Sequence, residues 1–142
     1  MKNAWLPYAM AAALLYGLHQ VFTKLAANRI GDGLGGFVVE ASAAATILVY
    51  IAYLRGTNQW HQPYSNAGLA WSAATGICVG LGTIAFFLLF QRGGPLSAVP
   101  AVLAVGGAIM VLAGFLVFRE QLTASRAMGV LLSLVGLYLL RK

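Results

Sequence analysis

A chain of 142 residues with 61% hydrophobic and only 8% charged side chains is not an ordinary soluble domain, in which about a quarter of residues carry charge. The net charge of +6 does not point to nucleic acid, because the Lys and Arg residues stand singly at the ends of apolar runs and form no basic stripe. Such residues suit a bilayer interface, where long stems let the cation reach the headgroups. The composition therefore predicts an all-α polytopic membrane protein with the lipid bilayer as its first partner.

Five apolar runs follow one another, each near the roughly 20 residues that cross a hydrocarbon core. The first is expected at residues 5–25. Lys2 ahead of it imitates a secretory leader, but with this length and four further runs behind it the segment reads as a retained helix. Tyr16, His19, Gln20 and Thr23 fall at i, i+3, i+4 and i+7, which is one face of a helix. Turned to lipid, that stripe would leave polar groups unmet at several kcal/mol each, so it is expected to face other helices or a wet cavity. Residues 28–36, rich in glycine, read as a tight reversal. They lack the Gly-Lys-Ser/Thr ending and the preceding strand of a phosphate loop.

The second helix is expected at residues 37–54, with Glu40 in its first turns and a slim run of alanines behind it. An ionised side chain at membrane depth costs about 3 kcal/mol or more, so such a residue faces an interior and often has a function. The alternative is that Glu40 is shallow enough to reach the interface, or merely sits favourably at a helix N-terminus. A polar loop over residues 55–66 carries Trp60 and Tyr64, suited to the headgroup zone. The third helix, residues 67–90, places Ser72, Thr75, Gly76, Gly80 and Thr83 on a small and polar face, and Gly76-x-x-x-Gly80 would permit close helix approach. Cys78, the single cysteine, lies in this run, forms no disulfide within one chain and is taken as core packing.

The fourth helix is expected at residues 96–118. Pro95 suits a first turn, whereas Pro100 would sit far enough in to remove a backbone bond and free the Leu96 carbonyl beside Ser97. The fifth, residues 124–140, carries Gly129, Ser133 and Gly136 on one stripe. Between them lie Arg119, Glu120, Gln121, Leu122 and Thr123, with Thr123 placed to cap the fifth helix and Glu120 to meet donors at its start. With five spans, the aromatic residues Trp5, Tyr8, Tyr50, Tyr53, Trp60, Tyr64 and Trp71 all fall on the amino-terminal side, as interfacial anchors should.

Gly94-Pro95-x-Ser97, then Pro100, then Glu120 followed by Leu122-Thr123, then Gly129 and Gly136, resembles the closing helices of an EamA-type repeat, the unit of the drug/metabolite transporter superfamily. Tyr16-Gly17 with Lys24 is similar to the opening helix of such a repeat. Family members with ten helices carry two repeats, so the resemblance implies that this chain pairs with a second. It also resembles, more distantly, the small multidrug resistance transporters, whose four-helix chains pair antiparallel through glycine-bearing last helices. Residues 129–136 are similar to that stripe, which implies dimer packing for Gly129, Ser133 and Gly136. That branch carries a glutamate in its first helix, and this first helix has none.

Basic residues divide almost evenly between the two sides, Lys2, Arg55, Arg119 and Arg126 against Lys24, Arg29, Arg92, Arg141 and Lys142, so the positive-inside bias is nearly absent. Five spans put the termini on opposite faces. Two copies related by an in-plane axis would then form a ten-helix inverted-repeat dimer with a site near the midplane. The expected function is a small secondary transporter or exporter of a small metabolite or amphipathic compound in the bacterial inner membrane, working by alternating access as an antiparallel homodimer or with a second small transporter chain. Its substrate and coupling residues would be Tyr16, His19, Gln20, Thr23, Glu40, Ser72, Thr75, Thr83, Ser97 and Pro100, with Glu40 and His19 at similar depth, either exchanging a proton or forming a buried hydrogen-bonded pair with no transport role. An accessory membrane subunit, of another transporter or of a lipid-linked sugar flippase, is the alternative. No enzyme is expected, since no metal-ligand spacing, nucleophile set or paired aspartates are present, and no cofactor is implied.

The near tie in basic charge is testable. Single cysteines placed at each terminus and labelled from either side of intact membranes should react from both sides; one clean orientation would remove the antiparallel homodimer.

Overall fold

The protein is described here by a computed structural model covering residues 4–121 and 123–139. Leu122, the end of the expected fifth helix at residue 140 and the terminal basic residues Lys2, Arg141 and Lys142 lie outside the described residues, as does the side chain of Ser133. The described residues form α1 (Leu6–Ala27), α2 (Asp32–Gly56), α3 (Asn66–Gln91), a 3-10 turn (Leu96–Ala98), α4 (Val99–Leu116) and α5 (Ala124–Leu139). Three stretches, Asp32–Gly56, Asn66–Gln91 and Leu96–Leu116, are long and apolar enough to cross a membrane. The polar stripe on α1 lowers that helix's hydropathy relative to these three.

The chain divides into two compact units, Met1–Gly93 and Gly94–Lys142. In the first, α3 is the central element and packs against both α2 and α1. Its buried residues Thr83, Phe87 and Phe90 recur at i, i+4 and i+7, one stripe of a helix. The Ser65 hydroxyl caps its start, accepting from the Gly68 N–H at 3.0 Å, as a serine at this position does. In the second unit, α4 packs against α5. Arg119, with φ 53°, follows the end of α4, and the Glu120 N–H donates back to the Gly114 carbonyl at 2.9 Å.

Four sequence expectations are corrected. The glycine-rich connector is mostly helix: α2 begins at Asp32, and Gly35 and Gly36 are buried in its first turns. These glycines serve close packing. A Cβ on Gly35 would lie 2.7 Å from Phe87 Cζ, and one on Gly36 3.4 Å from Ile84 Cγ1. By contrast, a Cβ at Gly76 or Gly80 would meet nothing within 4 Å, so that motif makes no close approach among the described residues.

Pro100 does not break a helix either. It stands in the first turn of α4, where its missing N–H costs nothing, and the Leu96 carbonyl accepts from the Val99 N–H. The fourth helix accordingly starts later and ends earlier than expected. Cys78 is exposed, on the outside of α3 and not in its core.

Because Phe87 has 0% exposure, its ring cannot swing aside to admit a side chain at position 35. Gly35→Val should destabilise the protein by about 1–3 kcal/mol through overpacking. Gly17→Ala, where a Cβ meets nothing within 4 Å, should be neutral or stabilising by up to about 1 kcal/mol. Thermal unfolding of the purified variants in detergent measures both.

Candidate functional site

Threonines inside apolar helices face a choice, since an unmet hydroxyl is costly in hydrocarbon. Thr23, Thr46 and Thr75 turn back onto the carbonyl four residues earlier, at 2.8, 2.9 and 3.0 Å, and Thr57, just past the end of α2, does the same at 2.9 Å. Thr83 does not. Its hydroxyl crosses to α2 and donates to Glu40 Oε1 at 2.6 Å, in the range of a charge-assisted bond.

This bond depends on how α2 and α3 meet. Gly36 and Glu40 are four residues apart and so share a face of α2. Gly36, having no side chain, lets Thr83 Cγ2 approach to 4.0 Å from where its Cβ would be. Glu40 lies eight residues past Asp32, the first residue of α2, which is roughly 12 Å along the axis at about 1.5 Å per residue. It is half-buried, while Thr83 is 4% exposed. Glu40 is therefore set deeper than a helix starting at residue 37 would place it, too far from the first turn to act as a dipole partner.

α1 brings the second group of polar side chains. Gln20 and Thr23 are buried, His19 is half-buried and Tyr16 is 66% exposed. The Tyr16 and His19 rings meet edge to face, with centroids 6.4 Å apart. His19 Nδ1 and Gln20 Oε1 are buried without a hydrogen-bond partner. One turn further on, the Lys24 ammonium lies 5.4 Å from the Phe90 ring centroid, and the Gln91 amide donates to the Ile30 carbonyl at 3.1 Å, tying the end of α3 to the α1–α2 turn.

These contacts set the register. Glu40 pairs with Thr83 and Gly35 with Phe87, so α2 and α3 run antiparallel; the short α1–α2 turn makes α1 parallel to α3. Gln20 lies roughly 6 Å along α1 from Lys24, and Thr83 roughly 10 Å along α3 from Phe90. With Lys24 over Phe90, Gln20 and Thr83 stand within about one helical turn of the same level. Among the described residues no hydrogen bond or ion pair joins His19 to Glu40; the carboxylate's partner is Thr83.

The remaining expected site residues are placed elsewhere. Ser72 and Thr75 are exposed toward the far end of α3, Ser72 lining an open cavity of about 410 Å³ with Pro63, Tyr64, Ser65, Gly68 and Leu69. Ser97 and Pro100 are exposed in the second unit, at the 3-10 turn and the start of α4. Gly129 and Gly136 lie seven residues apart on α5. The Glu120 carboxylate lies across Gly114, its Cδ 3.5 Å from where a Cβ would stand, and Thr123 precedes α5, its carbonyl accepting from the Ala127 N–H at 3.1 Å. Phe87, Phe90, Lys24 and Gln91 were not among the sequence candidates for the site. Only the recurrence of Thr83, Phe87 and Phe90 at helical spacing could have suggested the two phenylalanines.

If the Thr83 bond holds the Glu40 carboxylate, Thr83→Val should cost about 1.5–3 kcal/mol, the range for a hydrogen bond to a charged group. Thr83→Ser, which keeps the hydroxyl, should recover most of it. Thermal unfolding in detergent compares the two.

The EamA-like transporter family matches residues 3–142. No curated protein and no solved structure matches the chain.

Proposed function

The chain belongs to the EamA-like transporter family, and from that premise we propose that it moves a small metabolite or amphipathic compound across the membrane by alternating access, with Glu40 as the coupling group. The observation that carries this reading is the Thr83–Glu40 bond. It joins Glu40, eight residues past the start of α2, to the buried face of α3. A carboxylate in such a place is a group whose loading with a proton or a substrate changes how two helices hold together.

In the ionised state Glu40 accepts from Thr83 and draws α2 onto α3. When a proton occupies it, the carboxyl becomes a donor as well as an acceptor, and the α2–α3 contact loses its charge-assisted bond. Substrate and proton then act on the same helix pair, which is the physical requirement for exchange. His19 and Gln20, at a similar level on α1, contact the substrate. A second chain in the opposite orientation completes the ten-helix transporter, with Gly129 and Gly136 on the pairing face of α5.

Glu40→Gln keeps the shape and removes the titrating group. In proteoliposomes with a trapped pH-sensitive dye, it should lower metabolite-driven proton movement by more than about tenfold, corresponding to about 1.4 kcal/mol. His19→Ala should slow substrate-dependent flux while leaving Glu40-dependent proton movement detectable. If both variants move protons and substrate as the parent does, the coupling role assigned to Glu40 and His19 is wrong.

A further inference from the structure

In the first unit the two buried threonine hydroxyls near the site are spent, and two buried side-chain polar atoms are not. The Thr23 hydroxyl is given to the His19 carbonyl and the Thr83 hydroxyl to Glu40 Oε1. Left over are Gln20 Oε1, an acceptor on a side chain only 8% exposed, and His19 Nδ1, which accepts in the tautomer with the proton on Nε2; both are buried and unmet. Among the described residues no donor reaches the second oxygen of Glu40. The Lys24 ammonium is held over Phe90, roughly two turns of α3 from Thr83.

A buried polar group without a partner is uncommon and needs a reason. We propose that this cluster selects its ligand by the hydrogen-bond donors it carries: a small amine or alcohol with N–H or O–H groups and no negative charge. The inference rests on the transporter reading above and deepens it by naming the substrate class. Gln20 is the specificity residue, since its amide oxygen is the most deeply buried acceptor with nothing to accept from. An anion would meet the Glu40 carboxylate. A quaternary ammonium would satisfy that charge yet leave Gln20 and His19 unmet, and a site built to accept donors discriminates strongly against a ligand that lacks them.

Four probes of similar size separate charge from donors: phenethylamine, phenethyl alcohol, trimethylphenethylammonium and phenylpropionate. Equilibrium dialysis against the purified full-length protein should show the amine and the alcohol binding. The trimethyl cation should bind at least about tenfold more weakly than the amine, and the carboxylate should not bind measurably. Gln20→Met should weaken the amine and the alcohol about tenfold without changing the trimethyl cation, whereas Gln20→Glu, which keeps an acceptor, should retain the amine.

The proposal is overturned if the trimethyl cation equals or exceeds the amine, if the carboxylate binds best, or if no probe binds at millimolar concentration. Should Gln20→Met fail to fold, the ranking on the parent protein decides alone. The outcomes also separate the two readings. An intact ranking without Glu40-dependent proton movement removes the coupling and keeps donor selection, and the reverse result removes donor selection only.

Discussion

Inside a bilayer no water is at hand to complete a hydrogen bond, so each polar side chain on a membrane-crossing helix must find its partner within the protein. Much of this molecule can be read as answers to that constraint. Thr23, Thr46 and Thr75 give the local answer and bond to their own helix. Glu40 has no such local donor, because helical N–H groups are already committed to the backbone ladder. It must reach another helix, and Thr83 supplies the proton.

That bond in turn requires two helices to come close over several turns. Gly35 and Gly36 make the room: without a Cβ at either position, the Phe87 ring and the Ile84 side chain can lie against the backbone of α2. Glycine weakens a helix by about 0.5–1 kcal/mol relative to alanine. Here the packing against α3 offsets that cost, because Phe87 is fully enclosed. The same stripe of α3 then carries Phe90 to Lys24 on α1, so one helix face organises three helices of the first unit.

Polar groups that neither bond locally nor cross to a partner are the informative remainder. His19 Nδ1 and Gln20 Oε1 are in that state, on the helix whose polar stripe lowers its hydropathy. The stripe is thus divided by depth. Tyr16 is largely exposed, Thr23 is buried and bonded to its own helix, and the two residues between them hold unused hydrogen-bonding capacity. A transport function gives that capacity a use, since a binding site must stay unsatisfied until its ligand arrives.

The class of the protein and its family were legible in the sequence, because apolar run length and helical periodicity are local properties. So was the list of polar residues on α1, and so was Glu40 as an acid inside an apolar run. The role of a glycine or a proline was not. Gly35 and Gly36 read as a turn, Pro100 as a break and Gly76-x-x-x-Gly80 as a contact, yet each depends on where a helix starts or on which face a neighbour lies. Glu40 and His19 looked like natural partners because antiparallel packing sets them at similar depth. The choice of Thr83 instead was made by the rotation of α2 against α3, which brings Gly36 and Glu40 onto one contact face. Spacing along a chain determines which residues share a face; only the packed structure decides which face meets which, because that is settled by side-chain volume across the interface.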